Sequence, residues 1–264
     1  MKRLRWITIS FLFLFVIFMI YPFIANNIEN MEDNSSSKFH IFISSNIDYE
    51  KIHLSRLIEN IENINIPNNI VHIIIGGYDK ESIEYINNIE IIRVPYRAFE
   101  FTPFTYIIKN PDKYDFDYAF FSHDSVTFGE NFYNSILKYI HYMNNNNFDT
   151  MGIEPNAMSM NIGIYKKNVI FKNVDLINSI TIYSNDKDKL FELKNRLVPV
   201  EDTILKSGNH YHNNDLYPEV TQYKDYNAEK KLVDLWKKYY KNIDFTKIQT
   251  NNGNIFSISS PINI

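Results

Sequence analysis

Not one of the 264 residues is a cysteine. This excludes disulfides, thiolate metal sites and cysteine nucleophiles. It says little about compartment, because a domain of this size does not need disulfide staples. Glycine is scarce, with 7 residues, and none falls in the G-x-G-x-x-G or Walker spacing of dinucleotide-binding and P-loop proteins. The body of the chain has no Lys/Arg-rich run and the formal net charge is −4. That argues against a nucleic-acid partner, which needs a concentrated positive surface to neutralise phosphates. No nucleophile elbow, kinase signature or H-E-x-x-H occurs either.

What is plentiful is apolar and aromatic: 45% hydrophobic residues, 19 Tyr and 20 Phe. Trp6 to Ala25 contains no charge, a length that crosses about 30 Å of hydrocarbon as a helix. Lys2, Arg3 and Arg5 precede it, and Glu29, Glu32 and Asp33 follow. The positive-inside rule keeps that N-terminus cytoplasmic and sends the remainder across the membrane. A cleaved signal peptide is the competing reading, but Phe23 and Ala25 fit a small-x-small cleavage site badly. The expected organisation is a cytoplasmic tail (1–5), a signal-anchor (6–25), a polar stem (26–37) and one catalytic-sized domain (38–264). Asn34-Ser35-Ser36 in the stem is an acceptor sequence for N-glycosylation.

The domain begins with a strand over Phe39–Ser44, after which Asp48 can cap a helix with Leu54, Leu57, Ile58, Ile61 and Ile64 on one face. Ile70–Ile75 reads as a strand ending in Gly76-Gly77, Asp79 as the cap of a short helix through Ile86, and Ile89–Val94 as a third strand. This alternation predicts an α/β fold with a mostly parallel sheet. A helix over Phe101–Lys109 then leads to Tyr118–Ser122, a nearly all-apolar run typical of a strand buried on both faces. It ends in His123-Asp124-Ser125. Ligands of open α/β sheets bind beyond the carboxyl ends of the strands. Ser44, Ser45, Gly76, Gly77, His123 and Asp124 are therefore predicted to line one crevice, with Asp79 beside it and Tyr78 available to stack on a ligand. The bland alternatives are a strand with an Asp/Ser turn and a tight glycine turn.

Farther on, a helix carries Phe132, Ile136, Tyr139, Ile140 and Met143 on one face. A strand follows near Asn161 and Gly163, the glycine marking a close approach of ligand or neighbour, or a bulge. Glu201 and Asp202 stand after Pro199 where an apolar helix is expected to begin, and can be first-turn acids or chemistry. His210 and His212 have metal-ligand spacing if they lie on a strand, and are exposed loop residues if not. Leu232 to Tyr240 reads as a last helix, and Asp244–Gly253 as a polar tail.

In order, an anchor, a stem, a parallel α/β start, a buried strand with an acidic tip and a later Val200-Glu201-Asp202 resemble the GT-A class of glycosyltransferases. The resemblance implies a GT-A-like three-layer α/β/α sandwich that moves a sugar from a nucleotide-sugar donor to a glycan, protein or lipid acceptor. It implies a divalent ion, Mn²⁺ or Mg²⁺, held by Asp124 with His123 or His212. It also implies a catalytic base at Asp202, with Glu201 in reserve, nucleotide contacts from Ser44, Ser45, Gly76, Gly77 and Asp79, and an acceptor side near Asn161 and Gly163. The tip departs from the class motif: it reads His-Asp-Ser where two acids flank a middle residue. The literal Asp115-Phe116-Asp117 precedes the strand, at the wrong end for the crevice. The resemblance implies a type II membrane protein with its domain on the lumenal or extracytoplasmic side of an ER/Golgi-like or viral membrane. The alternatives are an anchored domain that binds a glycan or protein without catalysis, and a hydrolase using Asp124 and Asp202 as paired acids.

Overall fold

The computed structural model describes residues 37–152, 162–211, 245–251 and 254–258, with backbone alone for Val198, Asp202 and the last two segments. Trp6–Ala25, Asn161, His212 and the helix expected over Leu232–Tyr240 lie outside the described residues. Among those described, no helix is long and apolar enough to cross a membrane.

Eight strands form one sheet in the order β3-β4-β2-β1-β5-β8-β7-β9. They are β1 (Phe39–Asn46), β2 (Val71–Gly76), β3 (Ser82–Ile86), β4 (Ile89–Val94), β5 (Tyr118–His123), β7 (Thr150–Gly152), β8 (Gly163–Lys166) and β9 (His210–Tyr211). The four central strands β4, β2, β1 and β5 run parallel, while β3 and β8 are antiparallel to their inner neighbours. The expected α/β fold with a mostly parallel sheet is thus present, as a mixed sheet. β2 reads Val-His-Ile-Ile-Ile-Gly and is buried at every residue, because helices cover both of its faces.

On one face α1 (Ile47–Glu62) and α3 (Phe132–Asn145) pack against Ile41, Ile43, Ile73 and Phe120. On the other, α2 (Thr102–Lys109) and α6 (Lys187–Lys206) cover Phe42, Ile74 and Phe121, with the short α4 (Lys167–Lys172) and α5 (Val174–Ser179) filling between them. α1 is capped by Asn46, whose side chain accepts from the Asp48 N–H at 3.0 Å, and not by Asp48 itself. It buries His53, Leu57, Ile58 and Ile61, one helical stripe.

Three segments differ from expectation. Ser82–Ile86 is an antiparallel edge strand, not a helix capped by Asp79. Ile86 pairs with Ile89 across a two-residue turn, Asn87-Asn88, both with positive φ (51° and 68°). That is the twist a tight hairpin requires, and asparagine tolerates it. The Glu201-Asp202 segment does not begin a helix. It lies in the last turns of the 20-residue α6, which is capped by Asp186 and contains Pro199 internally. Asp244–Gly253 is no mere tail: β10 (Phe245–Asn251) pairs with β11 (Asn254–Ile258) and with β6 (Val126–Phe128) in a second, three-stranded sheet.

The amino ends of the central strands hold a buried polar network. Glu90 accepts from His72 Nδ1 at 2.8 Å, from the Tyr114 and Tyr85 hydroxyls at 2.7 and 2.9 Å, and from Lys113 Nζ at 2.8 Å. His72 Nε2 lies 2.7 Å from His40 Nδ1. With His72 Nδ1–H donating to Glu90, its Nε2 accepts from His40 Nδ1–H, so the His72 ring is neutral. Burial pushes the Glu90 carboxyl up, but the hydrogen bonds from His72, Lys113 and Tyr114 outweigh it and hold the carboxyl far below the usual range. Burial, and then His72, lowers His40 from 6.5 to about 4. Between those values the unfolded chain binds more protons than the folded one, so stability falls as pH drops from 6.5 to about 4. Glu90 adds to the loss once pH falls below the ordinary carboxylate range. Urea midpoints measured over this interval are expected to decline steadily, and His40→Gln to flatten part of the slope.

Candidate functional site

The chain passes from β1 to β2 to β4 on one side of β1, then returns through α2 to β5 on the other side. Beyond the carboxyl ends of β1 and β5 the order reverses, which is where open α/β sheets bind ligands. A cleft of about 310 Å³ opens there. Its floor is Ser44, Ser45 and Asn46 from β1 and His123, Asp124 and Ser125 after β5. Tyr49 and His53 from α1 and Leu190 and Lys194 from α6 line it too, as do Arg97, Phe99, Glu100 and Thr102 between β4 and α2.

Register explains the floor. Ser44 pairs with His123, so the next residues, Ser45 and Asp124, meet just past the ladder on the same face. Ser45 Oγ donates to Asp124 Oδ2 at 2.5 Å, and the Asp124 N–H donates to the Ser44 carbonyl at 2.9 Å. Asp124 is 8% exposed. Burial raises its pKa; the Ser45 hydrogen bond, His53 and Arg56 oppose the rise without cancelling it. Arg56 holds the turn from behind, donating to the carbonyls of Asp124 and Val126 at 2.7 and 2.8 Å and to Thr127 Oγ1 at 2.8 Å. Asn60 pins the outer edge of β6 through both the N–H and the carbonyl of Phe128.

The glycine pair lies behind the cleft and does not line it. A Cβ on Gly76 would come within 2.7 Å of the Tyr96 carbonyl, and one on Gly77 (φ +97°) within 2.7 Å of Arg97 Nη2. Gly76 makes room for the Tyr96 carbonyl and Gly77 for Arg97, whose Nη1 donates to Asp48 Oδ2 at 2.9 Å and whose backbone bridges to Ile182 in both directions. Phe99 stands at φ 49°, a costly region for a bulky residue. Its carbonyl accepts from the hydroxyls of Ser44 at 2.6 Å and Thr102 at 2.7 Å, which hold that backbone in place.

The structure therefore gathers four of the predicted residues, Ser44, Ser45, His123 and Asp124, and sets the others elsewhere. Asp79 is exposed, outside the cleft, just before β3. Tyr78 bonds Glu50 through its hydroxyl and sits under Arg93 rather than in the cleft. Gly163 meets a neighbouring strand, since its Cβ would lie 2.8 Å from the Met151 carbonyl. Glu201 is buried, two turns beyond Lys194 on α6, about 10 Å along the helix, and does not line the cleft. Asp115 pairs with Lys38, and Asp117 accepts the Lys38 N–H at 2.9 Å, both before β5 and away from the cleft.

The expected metal set is not assembled among the described residues, where no three His, Asp or Glu side chains are grouped as ligands. Asp124 is buried and tied to Ser45, with its carboxyl pushed toward the protonated form. His210 pairs with Thr150, and through β8 stands level with Ala119, three strand spacings (about 14 Å) from β5. Its Nδ1 lies 3.0 Å from Thr150 Oγ1. The described members, Asp124 and His123, do not by themselves make a divalent-metal centre; His212 lies outside the described residues, and no metal-dependent step is derived.

Arg97, Arg56, Lys194, His53, Tyr49 and Phe99 escaped sequence reasoning. Arg97 and Phe99 could have been found by following the tip of β4 as those of β1 and β5 were followed. The other four sit within helices and carry no local signal. No protein-family model matches the chain, and no curated protein matches it.

Two outcomes follow from the geometry. Asp124→Asn keeps the Ser45 bond and removes a buried charge, so it should raise Tm at pH 8, each 1 kcal/mol adding about 2–4 °C. The gain should shrink as pH falls through the carboxyl's raised pKa, because wild type then buries a neutral acid. Gly77→Ala forces a side chain into a left-handed position against Arg97 and should cost about 1–3 kcal/mol in denaturant unfolding.

Proposed function

We propose that the protein is a glycosyltransferase, held at a membrane by residues 6–25, that moves a sugar from a nucleotide-sugar donor to a glycan, protein or lipid hydroxyl. The carrying observation is the cleft at the β1/β5 switch point with one buried acid, Asp124, at the tip of the central strand. A parallel α/β start and a buried strand with an acidic tip, both features of the GT-A resemblance, support the same reading.

The chemistry asks for two things. The acceptor hydroxyl must lose its proton as its oxygen bonds to the sugar's anomeric carbon, and the diphosphate must leave with the electron pair of the bond that breaks. Asp124 suits the first need. Burial raises its pKa and so its basicity, and the Ser45 hydroxyl fixes the orientation of the carboxyl. Among the described residues Asp124 is better suited to act as base than Glu201, which lies outside the cleft. The exposed ring of Tyr49 and that of Phe99 offer stacking surfaces for a base or a sugar.

The test is turnover by the full chain over a panel of uridine-, guanosine- and cytidine-linked sugars, scored by nucleotide release in the presence of mixed glycan acceptors. One donor class should be consumed, and Asp124→Asn should lower kcat by roughly 10²–10⁴-fold with little change in nucleotide affinity. A panel in which no donor is turned over and no nucleotide raises Tm would overturn the reading in favour of a binding domain.

A further inference from the structure

We infer that Arg97 and Lys194 form an anion subsite that takes the diphosphate of a nucleotide without a divalent ion. The inference deepens the transferase reading and rests on it for the identity of the nucleotide.

Arg97 is a built feature rather than a surface charge. Its side chain is 9% exposed, lies over the glycine that makes room for it, and is held by backbone hydrogen bonds to Ile182 on both sides. A guanidinium carries five N–H donors in a rigid fork. Among the described residues its acceptor is a single carboxylate, Asp48, and its buried Nε has none. That Nε packs against Gly77 and stays buried, so a ligand meets the guanidinium where Asp48 now does. Asp48 is itself 66% exposed, so it is a solvated, displaceable partner.

Lys194 reaches the same cleft from α6, nearly a hundred residues later in the chain, and is exposed. It has no ion pair among the described residues. Two acids also line the cleft. Asp124 is tied to the Ser45 hydroxyl, and Glu100 faces the cleft from the turn before α2. His53 and His123 add ring nitrogens. A cleft with two cations, a buried acid tied to Ser45, a second acid at Glu100 and exposed aromatic carbon suits an oxyanion attached to a flat or cyclic group. A planar fork and a lysine are the pair that phosphate recognition employs. They also meet the charge that develops on a departing diphosphate, the task otherwise given to a metal.

The experiment is calorimetric binding to the full-length chain of inorganic pyrophosphate and of uridine, guanosine, cytidine and adenosine diphosphates, each in EDTA and in Mn²⁺. Pyrophosphate and one nucleoside diphosphate should bind equally well in both. Lys194→Ala and Arg97→Gln should each weaken binding roughly tenfold to a hundredfold. Asp48→Asn should tighten it, because Arg97 is freed; a purely structural role for the pair predicts no such gain. Melting curves of each variant separate lost binding from lost fold, and Lys194→Ala, at an exposed position, should melt like wild type. Nucleotide binding that needs Mn²⁺ and ignores Lys194 would overturn the subsite and leave the transferase reading standing. Lys194-dependent binding of pyrophosphate, with no nucleotide binding more tightly, would keep the subsite and remove the transferase. No binding of pyrophosphate or of any nucleotide would overturn both.

Discussion

A carboxylate leaves water only where other groups replace its hydration, and at the tip of β5 one hydroxyl meets the Asp124 carboxylate while two backbone contacts fix the turn that presents it. β1 supplies the Ser45 hydroxyl, the β1 backbone receives the Asp124 N–H, and α1 sends Arg56 to the carbonyls of the turn. None of these contacts forms unless β1 and β5 are neighbours in parallel register, with α1 leaving β1 toward the face where Asp124 points. The replacement is incomplete, since burial still raises the carboxyl's pKa. Such a residual cost is characteristic of sites where ionisation has a purpose.

The opposite ends of the same strands make an instructive contrast. There Glu90 is buried as deeply as Asp124 but receives four donors, and its proton affinity moves the other way. Glu90 and His72 are satisfied from within the chain. The cleft is not saturated: Arg97 keeps an unused buried donor, and Lys194 has no ion pair among the described residues. One sheet therefore carries a closed polar network at its amino ends and an open one at its carboxyl ends. The open one coincides with the reversal of strand order, where the loops diverge and leave room.

Much of the fold could be read along the chain because the central strands are buried on both faces and so announce themselves as apolar runs. Ile73–Ile75 and Tyr118–Phe121 are such runs, and α1 and α3 show a clear helical stripe. The edges were harder. β3 is exposed and short, and its identity depends on the Asn87-Asn88 turn that pairs it with β4. α6 continues through Pro199, so the proline that suggested a helix start lies inside one. β10 owes its strand to β6 and β11, partners that local composition does not reveal.

From residue types alone came an α/β domain and a buried strand ending in Asp124, with Ser44 and Ser45 at the tip of the first strand. Those features depend on nearest-neighbour chemistry: burial demands apolar runs, and strand tips must be polar. The partners of that tip were decided by tertiary structure. Arg97 reaches the cleft past Gly77, which leaves it room, Arg56 braces the turn from behind because α1 packs over β6, and Lys194 lines the cleft because α6 returns across the sheet. Each joins residues separated by tens of positions through a crossover, and no local pattern encodes which distant side chain a crossover will bring alongside.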